Sequence, residues 1–251
     1  MSETGEPLIY LVLGAPGSGR REVLADLIED GLEPAGQASV LLADMESPNP
    51  FDERFPNLTR WTWQDGQIAA PLPAVPPVFF VADGRRNPVD QVEAFKLWLD
   101  EQGGILGRIL CVMNVRLAEK HPPLMRWFEA CAHFADVVLI NRRDGVENEW
   151  LSSFLTRFRK QFPPTLLEVL KDGRVANPAL ILDPQARRMT HLFDFDDDPG
   201  CEIEDGPDDG EEARSGEVPN EFSREDPYLV RRGGGRRLKE LPDIGIYLGG
   251  G

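Results

Sequence analysis

Residues 8–28 of the chain read LIYLVLGAPGSGRREVLADLI. The six apolar residues at the start predict a buried strand, and the glycine-rich loop after them is followed by apolar residues at helical spacing, namely Val23, Leu24, Leu27 and Ile28. A strand, a glycine loop and a helix in this order are the context of a phosphate-binding P-loop, G-x-x-x-x-G-K-[ST]. Gly14 and Gly19 match the two framing glycines, so the backbone N–H groups of the loop are predicted to bind phosphates at the helix N-terminus.

The last two positions of the motif depart from the pattern, because Arg20 and Arg21 replace the lysine and the hydroxyl residue. Arginine supplies the charge of lysine but not its geometry. A cation at position 21, where a metal-ligating hydroxyl belongs, argues against Mg²⁺-dependent hydrolysis. Nucleotide binding requires less of these two residues than hydrolysis does. The predicted phosphate-binding residues are Gly14, Ala15, Pro16, Gly17, Ser18, Gly19, Arg20 and Arg21; the alternative is a simple tight turn.

Further apolar runs at residues 38–42, 77–82, 105–115 and 135–140 predict strands, and three segments between and after them predict helices. This alternation predicts an α/β fold with a mostly parallel sheet and helices on both faces. Trp61 and Trp63 alternate as in an edge strand. Since ligands bind at the carboxyl ends of parallel strands, residues 14–21, 83–84 and 141–144 are predicted to meet at one site.

The net charge of −16 is concentrated in one part of the chain of 251 residues. Residues 194–226 contain 15 acidic residues and two arginines, and few large apolar ones, which predicts a disordered acidic linker. The predicted domains are therefore a P-loop domain at 1–193, this linker, and a tail at 227–251 with a basic and apolar motif. Three alternatives remain open for the tail: it folds back on the acidic stretch, it contacts a protein partner, or it is solvated.

Several classes of protein are excluded by composition. The three cysteines have no paired or metal-ligand spacing, so no metal site is predicted. No segment approaches the roughly 20 apolar residues of a membrane span, and the N-terminus has no signal-peptide pattern. The acidic body argues against nucleic-acid binding. We therefore expect a cytoplasmic protein that binds neither membranes nor nucleic acids.

Over roughly residues 7–183 the motifs resemble the CobW-type P-loop GTPases, relatives of the UreG and HypB metallochaperone GTPases. In that family an Asn-Lys-x-Asp sequence after a strand reads guanine, and here Asn141, Arg142, Arg143 and Asp144 follow an apolar run. The resemblance implies that Asn141 and Asp144 belong to the base site, with the aspartate accepting from the guanine N1 and exocyclic amine. It implies that Arg142 stacks along the base. The alternative for Asp144 is helix capping.

The chain also departs from this family. Residues 43–80 lack the family's metal-binding Cys-x-Cys-Cys, and Val81 stands at the position of its glutamate. Asp83, the acid at that strand end, is either a Mg²⁺ ligand through water or a turn residue. Asp44 and Glu46 lie near a switch metal or, as the preferred interpretation, in a solvated loop. The resemblance thus implies a degenerate GTPase.

Three functions follow from these residues. The favoured one is a nucleotide-binding P-loop protein that takes GTP or GDP, with weak or absent hydrolysis. The second is a pseudo-GTPase interaction module whose C-terminal motif engages a protein partner. The third is a slow GTPase or small-molecule kinase, in which Arg20 replaces lysine and Asp83 organises the metal. Whether the chain is an enzyme is left open by the sequence.

Overall fold

The computed structural model of the protein describes residues 6–33, 37–194 and 226–248. The strands are β1 (Leu8–Leu13), β2 (Ser39–Ala43), β3 (Leu58–Gln64), β4 (Gln67–Ala69), β5 (Val78–Val81), β6 (Ile105–Asn114), β7 (Val137–Asn141) and β8 (Leu166–Val169). The helices are α1 (Arg20–Gly31), α2 (Pro88–Gln102), α3 (Val115–Lys120), α4 (Met125–Phe134), α5 (Asn148–Gln161), α6 (Pro178–Leu182) and α7 (Gly245–Leu248). None of the helices in this described part has the length and apolar character to cross a membrane.

All eight strands form one sheet in the order β4-β3-β2-β5-β1-β6-β7-β8, parallel except for the β3–β4 pair. Alternate residues of each strand enter separate cores, so that Leu11 packs with α2, α4 and α5 on one face and Val12 packs with α1 and α6 on the other. The predicted α/β fold with a mostly parallel P-loop sheet and helices on both faces is confirmed. The central β1 places the glycine loop in the middle of the carboxyl edge.

The sequence analysis did not predict two of the strands, because their hydrophobic patterns are weak. β8 reads LLEV and is only partly buried, and β4 has three residues. The interpretation of Trp61 and Trp63 as part of an edge strand is wrong, because β4 pairs antiparallel with β3 and leaves β3 second from the edge. A three-residue strand is too short to leave a periodic signal.

Residues 226–248, here called the C-terminal segment, pack against α2 and α4. Tyr228 is 7% exposed and Ile244 1% exposed, and both belong to the core on that face. Asp226 Oδ2 lies 2.7 Å from His133 Nε2 on α4. The solvated-tail alternative is therefore wrong for these residues. The segment packs on α2 and α4 of the domain, which none of the three alternatives named. Apart from its two end residues, Asp194 and Asp226, the predicted disordered linker lies outside the described residues.

Candidate functional site

The loop between β1 and α1 has the backbone conformation that its glycines allow. Gly14, Gly17 and Gly19 have φ values of 139°, 73° and 94°, in the region that other residues rarely adopt. A Cβ atom at Gly14 would clash with the Val112 carbonyl oxygen, whereas one at Gly17 would meet nothing within 4 Å. Ser18 is fully buried, and its Oγ has no hydrogen-bond partner among the described residues. The glycines thus let the loop pack closely on the sheet while Gly17 faces open space.

Four charged side chains, called here the ion-pair cluster, lie beside the loop: Arg20, Arg21, Glu46 and Asp52. Arg20 Nη2 lies 2.5 Å from Glu46 Oε1, and its Nη1 donates to the Ala82 carbonyl oxygen. Arg21 Nη2 lies 2.9 Å from Glu46 Oε2, and its Nη1 lies 3.0 Å from Asp52 Oδ1. Arg20 is 5% exposed and Arg21 8% exposed. The two cations are thus buried, and carboxylates of the chain compensate their charge.

Glu46 joins the two arginines. Burial opposes ionisation of its carboxyl group, but the charges of Arg20 and Arg21 and the Arg20 hydrogen bond outweigh burial and hold the pKa of Glu46 below its ordinary value. The interpretation of Glu46 as part of a solvated loop is therefore wrong, whereas Asp44 is exposed. The sequence signal that could have found this residue is the second arginine itself, because a buried cation requires an acidic partner.

A cavity of about 220 Å³ opens in front of the loop. It is lined by loop backbone and by four arginines that come from three parts of the chain. The lining includes Pro16, Gly17, Gly19, Arg20, Arg21, Glu22, Glu46, Arg85 and Arg142. Gly84 packs directly on the loop, since a Cβ atom there would lie 2.5 Å from the Gly14 carbonyl oxygen. The strand ends at residues 14–21, 83–84 and 141–144 therefore do meet.

Asp83 holds the turn after β5 together. Its Oδ1 accepts from the Arg85 N–H at 3.0 Å, and its Oδ2 lies 3.2 Å from Arg86 Nε. Gln91 on α2 bonds both the N–H and the carbonyl oxygen of Asp83, at 2.7 and 2.6 Å. Both carboxylate oxygens are thus engaged within the turn, as in an Asx-turn.

The end of β7 is bonded directly to the phosphate loop. Asn141 is 4% exposed, and its Nδ2 donates to the Ser18 carbonyl oxygen at 2.8 Å. Arg142 Nε donates to the Gly17 carbonyl oxygen at 3.2 Å, and Arg142 Nη2 lies 2.6 Å from Glu22 Oε1. Asn141 and Arg142 therefore fix the loop through its backbone.

Asp144 lies on the rim of a second cavity, of about 440 Å³, between the ends of β6 and β7. Its other lining residues are Asn114, Arg116, Leu117, Lys120 and Arg142. The side chain of Asp144 is exposed. Helix α5 begins at Asn148 with Glu147 as its N-cap residue, so the alternative of helix capping by Asp144 is wrong. Arg142 lines both cavities and thereby connects them.

No protein-family model matches the chain, and no curated protein matches it. Among solved structures, it is similar to the Zn(II)-bound YjiA GTPase from E. coli, with 12% sequence identity and a TM-score of 0.45. It is also similar to a Zn(II)-bound triple mutant of YjiA GTPase, with 10% identity and a TM-score of 0.46. Each similarity covers 73% of this chain and 67% of the other chain. Likeness at this level concerns the fold alone, so function has to be inferred from this chain's own residues.

The residues of the site do not fit Mg²⁺. At position 21 a guanidinium replaces the hydroxyl of the motif, and the acids beside it are already paired with arginine. Within the described ranges no group of three or more His, Cys, Asp or Glu side chains is arranged to hold a metal ion. A phosphate group does fit, because the loop offers backbone N–H groups, open space at Gly17 and a cavity lined by arginines.

Proposed function

We propose that this chain is a nucleotide-binding P-loop protein that takes GTP or GDP and hydrolyses it weakly or not at all. The observation that carries this proposal is the pair of hydrogen bonds from Asn141 and Arg142 to the backbone of Ser18 and Gly17. They join the strand end that bears Asp144 to the phosphate loop. One nucleotide could then place its base beside Asp144 and its phosphates at the loop.

The phosphates would be held by the backbone of residues 14–19 and by the cavity's arginines. Backbone N–H groups at the start of α1 attract anions, and the helix dipole adds to this attraction. Arg85 is exposed on the cavity wall, and Arg20 and Arg21 line its floor despite their ion pairs. A guanidinium has five N–H donors, so an arginine that is already paired can still bind a phosphate oxygen.

The base would lie in the second cavity, where Asp144 selects guanine. A carboxylate accepts hydrogen bonds, and guanine presents the two donors N1–H and N2–H₂ side by side. Adenine has no amino group at C2, and its N1 is an acceptor, so it would offer Asp144 no donor on this edge, which is a strong basis for discrimination. The planar guanidinium of Arg142 suits stacking on the base.

Calorimetric titration of the full chain with GTP, GDP and ATP tests the proposal directly. We expect guanine nucleotides to bind and ATP to bind more weakly by at least about tenfold, which corresponds to 1.4 kcal/mol. Single-turnover measurement with GTP then decides whether any hydrolysis occurs. Equal affinity for GTP and ATP would contradict the guanine assignment, and no binding of either would contradict the whole proposal.

Replacement of Asp144 by Asn is expected to reduce GDP affinity by about 1.5–3 kcal/mol, the usual contribution of hydrogen bonds to a charged group. ADP affinity should not change, because adenine makes no such pair. The measurement is calorimetric titration of both nucleotides. Asp44→Asn is the matched control, since it removes an exposed aspartate at the end of β2, outside both cavities. An Asp144→Asn variant with unchanged GDP affinity would remove Asp144 from the base site.

Gly17→Val is expected to abolish nucleotide binding. An added side chain at Gly17 enters open space in front of the loop, where phosphates would approach the backbone. Gly66→Val is the control, because Gly66 also has a positive φ, 85°, and nothing within 4 Å of an added Cβ, but lies in the β3–β4 turn. Calorimetry with GDP should give no binding for Gly17→Val and wild-type affinity for Gly66→Val. Wild-type affinity in both variants would contradict the predicted phosphate site.

The pseudo-GTPase interaction module is the second candidate function. The ion-pair cluster favours it, because Glu46 and Asp52 already compensate the charges of the loop. Ile246 is 74% exposed and Leu238 47% exposed on the C-terminal segment, which gives a partner apolar side chains to contact. If this function is correct, no nucleotide should change the thermal unfolding temperature of the protein, because a ligand of the folded state would raise it.

A cytoplasmic location also belongs to this proposal. Cys111 and Cys131 are buried as free thiols, as is usual in a reducing compartment. Burial raises the pKa of the Cys131 thiol well above its ordinary value, so this thiol stays protonated and unreactive.

A further inference from the structure

The ion-pair cluster bears on whether the site accepts the Mg²⁺-bound or the metal-free nucleotide. In the P-loop motif the residue at position 21 would hold Mg²⁺ through a hydroxyl group. Here Arg21 lines the phosphate cavity, and Glu46 and Asp52 hold its guanidinium at 2.9 and 3.0 Å. We infer that the site selects the metal-free nucleotide and that Mg²⁺ opposes binding. This inference rests on the proposed nucleotide-binding function and adds a specificity residue, Arg21, to it.

Electrostatics gives the direction of the effect. A Mg²⁺ ion that accompanies the phosphates would approach the Arg21 guanidinium, and like charges at short range in a partly buried site repel each other strongly. Glu46 and Asp52 reduce this repulsion, but they cannot become Mg²⁺ ligands without leaving their arginines, because Glu46 contacts both Arg20 and Arg21 while Asp52 contacts Arg21. Mg²⁺ would have to compete with two arginines for the same oxygens.

Arg21 can also replace part of what the metal supplies. Its Nη1 donates to the Ser47 carbonyl oxygen at 2.8 Å as well as to Asp52, and its Nη2 donates to Glu46. These three contacts use fewer than the five N–H donors of a guanidinium. A remaining donor can bind a phosphate oxygen, with the charge-assisted geometry in which arginine binds phosphate. Arg21 would then supply a phosphate contact that a metal ion would otherwise make.

Calorimetric titration of the full chain with GDP in EDTA and in millimolar Mg²⁺, at equal ionic strength, tests this inference. We expect the apparent Kd to be about tenfold larger in Mg²⁺, because the metal removes free GDP as a complex that the site rejects. Equal ionic strength is needed because salt alone screens phosphate binding. Equal or tighter binding in Mg²⁺ would overturn the inference and leave nucleotide binding intact. No binding in either buffer would overturn both.

Two variants assign the effect to the charge at position 21. Arg21→Thr supplies a metal-ligating hydroxyl, and we expect Mg²⁺ to tighten GDP binding in this variant. Arg21→Lys keeps a cation, and we expect it to bind GDP more tightly in EDTA than in Mg²⁺, as in the wild type. An Arg21→Thr variant that still prefers metal-free GDP would overturn the assignment to Arg21. If Arg21→Thr does not fold, opposite Mg²⁺ responses of Arg21→Lys and the wild type would overturn it.

Discussion

Glu46→Ala should lower the free energy of unfolding by about 3 kcal/mol, the lower end of what removal of one partner from a buried ion pair costs. The carboxylate of Glu46 contacts both arginines of the loop, at 2.5 and 2.9 Å. Without it, Arg20 retains the Ala82 carbonyl oxygen as its partner, and Arg21 retains Asp52 and the Ser47 carbonyl oxygen. Urea unfolding followed by tryptophan fluorescence measures the loss.

Glu53→Ala is the matched control, since this glutamate lies next to Asp52 in sequence but is exposed. Its effect should stay within about 0.5 kcal/mol, as for most surface substitutions. Glu46→Gln separates charge from shape, because the amide oxygen still accepts a hydrogen bond while the negative charge that Arg20 and Arg21 share is removed. An unfolding free energy of Glu46→Ala within about 0.5 kcal/mol of the wild type would show that the arginines find other partners or water.

The same glutamate marks the limit of prediction from sequence. The strand, loop and helix around Gly14 and Gly19 follow from a strong local signal, and the hydrophobic runs predict the parallel sheet. The pairing of Arg20 and Arg21 with Glu46 and Asp52 joins residues 25 to 31 positions apart. No spacing rule connects them, because the irregular chain after β2 decides which acid reaches the arginines. Contacts of this kind follow from tertiary structure alone.

The site beside β7 was more accessible to prediction than the ion-pair cluster. The Asn141 to Asp144 motif directly follows an apolar strand, and parallel strands end at one edge, so its position near the loop could be expected. Its bonds to the backbone of Ser18 and Gly17 could not be expected from sequence, because they join residues 123 and 125 positions apart. The packing of the C-terminal segment on the domain could not be predicted either, since its few apolar residues are not spaced as in a helix or a strand.

That packing gives the second large effect. Tyr228→Ala should lower the free energy of unfolding by about 3 kcal/mol, because truncation of a buried aromatic side chain leaves a cavity. The ring of Tyr228 lies 4.8 Å from the His133 ring and 5.9 Å from the Phe134 ring, centre to centre. Burial raises the pKa of Tyr228 to about 12, in keeping with this position. The measurement is again urea unfolding of the full chain.

Ile246→Ala is the matched control, because it truncates an exposed side chain of the same segment instead of a buried one. Ile246 belongs to the same segment but is 74% exposed, so its truncation should change the unfolding free energy by less than about 0.5 kcal/mol. A Tyr228→Ala variant as stable as Ile246→Ala would mean that the segment contributes nothing to the domain. A large loss in Tyr228→Ala alone would mean that packing of the C-terminal segment on α4 stabilises the domain, because the Tyr228 ring lies against His133 and Phe134. The same segment reaches α2 through Arg237, whose Nε donates to Asp90 Oδ1 at 2.8 Å, so the stability of the P-loop domain would depend on residues far beyond the loop in sequence.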